Sequence, residues 1–398
     1  YKGDFLAISD AIAKTTALQD LRITIDRKDL SKLGNSVKEH PSIKKLSVRA
    51  TGECVKYRYG HKKSSMREIK EMTKCVTKFL DFTLWDTSLS SLKLDGVIFP
   101  GRHFKVLGYY LAKPERTLKE LRLRNFLDPG NCDDFSIGKL ASGLFFNTTL
   151  TTLSIDVWSE VELIDDDIIA LTRLFEMNKT IKSFHFNLGD MYLFIGPDFV
   201  KMEGLYRKFF DTVCQSPNIT ELSLSDYSPD HYPITRCESN LQNFRYITDL
   251  AARTQKLTSL ILHVEDLNET VPNMSRKFVQ VISDMLSENQ VLRKLTLQNF
   301  LPDMLYLLPV LAGGLLANTT LTQLSIFCEG DEVGDDACLN LINSIVARNR
   351  ALHTSLFQQL FGVIDTVKNS DFDEDGYFKT KKRQITHEAP SSKRHHTQ

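Results

Sequence analysis

Apolar and polar positions along this chain fall into a phrase that recurs. Its form is apolar-x-x-apolar-x-apolar. It begins at Leu18 (LQDLRI), Ile43 (IKKLSV), Leu89 (LSSLKL), Leu118 (LKELRL), Leu150 (LTTLSI), Ile181 (IKSFHF), Ile219 (ITELSL), Leu257 (LTSLIL), Leu292 (LRKLTL) and Leu321 (LTQLSI). The spacings are 25, 46, 29, 32, 31, 38, 38, 35 and 29 residues. Within each phrase the fourth and sixth positions alternate as in a short strand with one buried face. Between phrases, apolar residues return at helical spacing: Ile137, Leu140 and Leu144; Phe278, Ile282 and Met285; Cys338, Leu341 and Ile345. Asp133-Asp134 and Asp335-Asp336 stand where an N-cap and first-turn carboxylates belong, and Asp165-Asp166-Asp167 forms another acidic turn.

A strand followed by a returning helix, repeated and stacked, predicts a parallel solenoid. Strands pack about 4.8 Å apart and helices about 8–10 Å apart, so the array bends with its strands on the inner wall. Leu352 falls 31 residues after Leu321, but Ser355 and Phe357 replace the next apolar positions, as in a repeat degrading into a cap.

These phrases resemble those of leucine-rich-repeat proteins of the ribonuclease-inhibitor-like class, over roughly residues 5–357. The resemblance implies an α/β horseshoe, with parallel strands on the concave face and helices on the convex face. Two features depart from that class: the repeats are longer and less regular, and the Asn or Cys expected three residues past the third apolar position is mostly absent. Trp158, Phe126 and Phe300 stand there, with Asn125 and Asn299 one residue earlier. The domain reading is an array of about ten to eleven repeats over residues 1–366, with an insertion near 50–80, and a disordered charged tail over 367–398.

Composition changes this picture little. The 398 residues hold 50 Lys plus Arg against 50 Asp plus Glu, and seven scattered cysteines without a C-x-x-C pair, which predicts reduced thiols. The chain starts at Tyr1 without a signal peptide and reads as a fragment or processed product, and its expected compartment is the cytoplasm. The basic pieces KTKKRQ and SSKRHHTQ of the tail are candidate nuclear-import signals.

The second, third and fifth phrase positions face the concave side. Their ionisable residues are Arg22, Lys44, Lys45, Lys93, Lys119, Arg122, Lys182, Arg293 and Lys294 against Asp20, Glu120 and Glu221, with His185 as a tenth cation at mildly acid pH. Such a wall would steer and hold a protein with an acidic surface; the bland alternative is a solvated strand face.

Other signals are weaker. VKYRYGHKKSSMREIK (residues 55–70) interleaves Lys56, Arg58, His61, Lys62, Lys63 and Arg67 with Tyr57 and Tyr59, a pattern compatible with nucleic acid but more often a solvated loop. Residues 371–378 resemble half an EF-hand loop, but Lys382 stands where the bidentate Glu belongs. Of six Asn-x-Ser/Thr sequons (Asn147, Asn178, Asn218, Asn268, Asn273, Asn318), four sit in the turn before a strand, which favours repeat grammar over glycosylation. There is no G-x-x-x-x-G-K-[ST], H-E-x-x-H or G-x-S-x-G, so no catalytic residue, metal or cofactor is expected. The expected role is a non-enzymatic protein-binding scaffold, as in the sensing part of Nod-like receptors. A Ran GTPase-activating protein is the alternative on the same repeat type.

Overall fold

Each of the ten phrases forms one strand. The computed structural model describes residues 5–38, 40, 42–51, 66–85, 89–97, 101–126, 137–157, 165–188, 199–225, 245, 248–249, 251–263, 274–300, 307–328 and 342–352. The strands are β1 (Asp20–Asp26), β2 (Lys45–Thr51), β3 (Ser91–Asp95), β4 (Glu120–Phe126), β5 (Thr152–Val157), β6 (Ser183–Leu188), β7 (Glu221–Ser225), β8 (Ser259–His263), β9 (Lys294–Phe300) and β10 (Gln323–Cys328). They make a single sheet in the order β1 to β10. Every pair is parallel and in phrase register, so Leu21, Leu46, Leu92, Leu121, Leu153 and Phe184 stack, and Leu222, Leu260, Leu295 and Leu324 continue the column. From Leu46 onward this column is buried. The chain is a leucine-rich-repeat solenoid.

Helices return between strands on one side of the sheet, and their apolar stripes close the core. In the helix Ile137–Leu144 the predicted Ile137, Leu140 and Leu144 are all buried; in Met274–Glu288 so are Phe278, Ile282 and Met285. Of the third stripe, Ile345 is buried, whereas Cys338 and Leu341 lie outside the described residues. The interval read as an insertion carries the 20-residue helix Met66–Trp85, which places Arg67 on a helix. The rest of the 56–67 loop, the 371–378 segment and the 367–398 tail lie outside the described residues, as do Asp133, Asp134, Asp335 and Asp336.

Neighbouring helices approach closely where glycine permits. A Cβ on Gly143 would stand 2.1 Å from the Gly108 carbonyl oxygen, and one on Gly314 equally close to that of Ser283. Asp165, Asp166 and Asp167 occupy the first turn of the helix Asp165–Met177, as expected. Asp167 also reaches backwards: buried, its Oδ1 accepts from Gly138 N at 2.7 Å, at the start of the preceding repeat's helix. Cys75 and Cys214 are free thiols, and burial pushes that of Cys214 up to about 12, so it stays protonated.

The turn between each helix and the next strand must bury polar backbone, and an unpaired buried N–H or C=O costs about 1–3 kcal/mol. A side-chain amide solves this. Asn178 Nδ2 donates to the carbonyls of Leu144 (2.8 Å) and Asn147 (2.9 Å), both in the preceding repeat. Its Oδ1 accepts from Thr180 N (2.9 Å) and Ile181 N (3.0 Å) in its own turn. Asn318 repeats this with Leu286 and Asn289 behind and Thr320 and Leu321 ahead. Asn147 donates to Leu111 and Asn289 to Ala251, each accepting from its own turn. At the same place His40 contacts the Thr15 carbonyl and Thr254 Oγ1 donates to the Cys214 carbonyl (3.0 Å).

Asn147, Asn178 and Asn318 are therefore sequons by coincidence of grammar: their amides are buried and fully engaged. Asn218 belongs to another position, two residues further along its unit, and its Nδ2 has no partner. Asn268 and Asn273 lie outside the described residues.

A cap closes the far edge of the sheet. Nine carbonyls at the strand-start position, from Gln19 to Arg293, each accept two N–H groups of the following strand. The tenth, Thr322, accepts Arg350 Nη2 at 2.9 Å instead, while Asn349 extends the amide series to Asn318 and Leu321. Among the described residues, Arg350 thus places a guanidinium where the N–H groups of a next strand would bond.

Replacing Asn178 by Ala leaves the N–H groups of Thr180 and Ile181 without an acceptor and removes one donor each from the Leu144 and Asn147 carbonyls, which keep Asn147 N and Thr180 Oγ1, and should lower unfolding free energy by about 3 kcal/mol. Asn218→Ala should stay within about 0.5 kcal/mol of wild type. Urea unfolding followed by circular dichroism checks both.

Candidate functional site

Parallel in-register strands turn single residues into ribs across the concave wall. The third phrase position gives one rib: Asp20, Lys45, Ser91, Glu120, Thr152, Ser183, Glu221, Ser259, Lys294, Gln323. The fifth gives another: Arg22, Ser47, Lys93, Arg122, Ser154, His185, Ser223, Ile261, Thr296, Ser325. A third rib was missed because the phrase was cut at six residues. Its seventh position aligns Arg49, Asp95, Arg124 and Asp156 on β2 to β5, with alternating sign. The segments LSVRAT, LKLDG, LRLRN and LSIDV carry that signal in plain sight.

The ten predicted cations divide into distinct groups. Arg22 pairs with Asp20 at 3.2 Å, and Lys93 (3.1 Å) and Arg122 (2.5 Å) both converge on Glu120. On the added rib Arg49 meets Asp95 at 3.5 Å and Arg124 meets Asp156 at 3.4 Å. Lys45, Lys119, Lys182, Arg293 and Lys294 have no carboxylate within ion-pair distance among the described residues. Lys44, Lys119, Lys182 and Arg293 occupy the strand-start position. Their backbone N–H groups bond to the preceding repeat at 2.8–2.9 Å, which fixes their Cα atoms along one edge.

At the middle of the wall the charges are ordered by hydrogen bonds. Glu120 receives Ser91 Oγ at 2.7 Å as well as its two cations. Burial alone would raise its carboxyl, but the hydrogen bonds from Ser91, Lys93 and Arg122 and the charge of Arg122 hold it below the ordinary value. On β6, Ser183 Oγ donates to Glu221 Oε2 at 2.8 Å and lies 2.8 Å from His185 Nε2. With the hydroxyl proton directed at Glu221, the ring nitrogen must be the donor to Ser183. His185 is thus no base toward that serine, and the trio orders the wall without activating a nucleophile. Burial lowers the pKa of His185; Glu221 and Glu120 oppose this, and Arg122 and Arg124 reinforce it. The ring is neutral at pH 7, so the tenth cation is absent there.

Among the described residues no three His, Cys, Asp or Glu side chains gather as a metal site, and no helix is long and apolar enough to cross a membrane.

No protein-family model matches the chain, and no curated protein matches it. Among solved structures, the crystal structure of the Rad7 and Elc1 complex in yeast is similar over 86% of this chain and 80% of that one, at 13% identity and a TM-score of 0.39. Leiomodin-1 actin-binding site 2 is similar over 66% and 93%, at 12% identity and a TM-score of 0.24. At these values neither likeness bears on function, which rests on the geometry of the wall.

The two shifts act on stability with one sign. Glu120 is depressed in the folded state, so its contribution is present above the ordinary 4.5 and lost as pH falls below it. His185 is depressed below 6.5, so the unfolded chain takes up its proton first and stability declines as pH falls through 6.5. Thermal melts from pH 8 to 4 should show a decline beginning near 6.5 that His185→Gln removes, and a steeper one below about 4.5 that Glu120→Gln reduces.

Proposed function

We propose that this chain is a non-enzymatic scaffold that binds a protein with an acidic surface along the strand-start edge of its concave wall. One observation carries the reading. Five cations of the wall, Lys45, Lys119, Lys182, Arg293 and Lys294, have no carboxylate partner among the described residues, while Arg22, Arg49, Lys93, Arg122 and Arg124 are held in pairs. The unpaired set spans β2 to β9, about 34 Å at the usual strand spacing, which suits an extended acidic face more than a small ligand. The paired set is the rigid centre against which such a partner is oriented.

Exposed cations of this kind add chiefly to association rate and selectivity, and their effect weakens as salt rises. The sensing arrays of Nod-like receptors, which these repeats resemble, are the finer class to which we assign the chain.

Affinity capture from cell extract, quantified by mass spectrometry, tests this with Lys119→Glu/Lys182→Glu and with Arg22→Glu as a control within the paired set. An acidic partner retained by wild type and by the control, and lost by the double variant and at 0.5 M salt, is the expected result. Equal recovery by all three proteins would remove the strand-start edge from the binding surface. Acceleration of GTP hydrolysis by Ran would replace the scaffold reading with the GTPase-activator one.

A further inference from the structure

The helix Leu308–Ala317, LPVLAGGLLA, contains no polar or charged side chain, which is true of no other described helix. Leu308, Leu311, Ala312 and Leu315 are buried, but Pro309, Gly313, Leu316 and Ala317 are exposed, Leu316 by 55%. A helix that is apolar all round belongs in an interior, and here one side of it meets water. The cations of the next helix, Arg348 and Arg350, are bonded to the Asn318 and Thr322 carbonyls. Gly313 leaves room at the centre of the apolar side: a Cβ there would meet only Ser283 Oγ, at 4.0 Å.

The flanking helix Met274–Glu288 adds an order of charge. Its charged residues are Arg276 and Lys277 near the start and Asp284 and Glu288 towards the end, and all are exposed. This order opposes the helix dipole, which favours carboxylates at the start and cations at the end, so the helix's own stability does not explain it. None of the four is in an ion pair among the described residues; Asp284 accepts Gln280 Nε2 at 2.7 Å. Across a cleft of about 360 Å³ the preceding helix repeats the order, with Arg245 before Asp249. The two phrases that follow these helices, at Leu257 and Leu292, are 35 residues apart. The midpoint of Arg245 and Asp249 is therefore level with the midpoint of Gln280 and Asp284. Arg253, one turn further, is level with Glu288. On the other side Ser283 Oγ donates to the Val310 carbonyl at 2.8 Å, which brings Gly313 to the same level.

We propose that this convex face is a self-association surface, separate from the concave wall, and that its occupant is a second copy of this chain. The copies are related by a twofold axis that crosses the helices at the shared level, so each helix lies antiparallel on its own mate. Arg276 and Lys277 of one copy then stand over Asp284 and Glu288 of the other, and Arg245 stands over Asp249. The outer side of Leu308–Ala317 covers its own counterpart around Gly313. The charge order selects this occupant. A lipid surface or a partner helix of uniform charge would suit one half of the pattern and be repelled by the other. Two convex surfaces touch over few helices, so the contact is small and the dimer weak and reversible.

Sedimentation velocity of the full chain from about 1 to 200 μM tests this. Wild type should pass from monomer to dimer across that range, and Leu316→Glu and Gly313→Arg should each remain monomeric. Arg276→Glu/Lys277→Glu and Asp284→Lys/Glu288→Lys should each weaken dimerisation by about tenfold or more. Mixing those two variants should restore a heterodimer, and joining all four substitutions in one chain should restore the homodimer. Every substituted residue is exposed, so the circular dichroism spectra should coincide with that of wild type. A monomer at all concentrations, a dimer indifferent to Leu316→Glu and Gly313→Arg, or charge-reversed variants that do not rescue each other would overturn the proposal. So would Leu316-dependent flotation of a monomeric chain with vesicles containing phosphatidylserine, or Leu316-dependent capture of another protein by a monomeric chain, since either assigns the face to another occupant.

Discussion

The buried amide at the helix-to-strand turn is the constraint on which this architecture depends. A solenoid must pass its chain through a tight turn once per repeat, and each turn hides backbone groups from water. In Asn147, Asn178, Asn289 and Asn318 one side chain satisfies its own turn and the preceding repeat together. An amide suits the task because it offers two donors and an acceptor on a short arm. The same bond that ends one turn therefore sets the height of the next strand. Where His40 or Thr254 stands instead, the link to the preceding repeat persists, but with fewer hydrogen bonds.

Register then becomes chemistry. Since strand follows strand without slippage at the phrase positions, a residue on one strand meets its counterpart on the next about 4.8 Å away. This is how Glu120 comes to gather Ser91, Lys93 and Arg122 from two strands, and how Ser183 comes to face Glu221. The wall is a mosaic: a hydrogen-bonded centre, neutral at His185, and an edge of cations held apart from carboxylates.

Much of this was legible in the sequence. Ten phrases became ten strands because the position-four and position-six residues have nowhere else to be buried, and the helical stripes followed for the same reason. Three of the turn asparagines were visible as sequons, and reading them as grammar was right for Asn147, Asn178 and Asn318 and wrong for Asn218, while Asn289 carried no such mark. The resemblance placed the conserved-type asparagine after the strand, whereas the buried amides here stand before it, so composition alone could not assign their role. The concave cations Arg22, Lys93 and Arg122 were found together with their eventual partners Asp20 and Glu120, whereas Arg49 and Arg124 and their partners Asp95 and Asp156 were missed because all four belong to a seventh position outside the phrase. Long-range devices were invisible: Asp167 capping the preceding helix, Gly143 against Gly108, and Arg350 closing the sheet edge all depend on which repeat lies beside which.

The central claim is that turn amides couple each repeat to its neighbour. A double-mutant cycle measures this directly, comparing Asn147→Ala/Asn178→Ala with Asn147→Ala/Asn318→Ala in equilibrium unfolding. The account predicts a coupling of about 1 kcal/mol or more for the adjacent pair, because the Asn147 side chain fixes the turn whose Leu144 and Asn147 carbonyls receive the Asn178 amide, and additivity within about 0.5 kcal/mol for the distant pair. Additivity in both would contradict it, and would mean that the amides stabilise only their own turns.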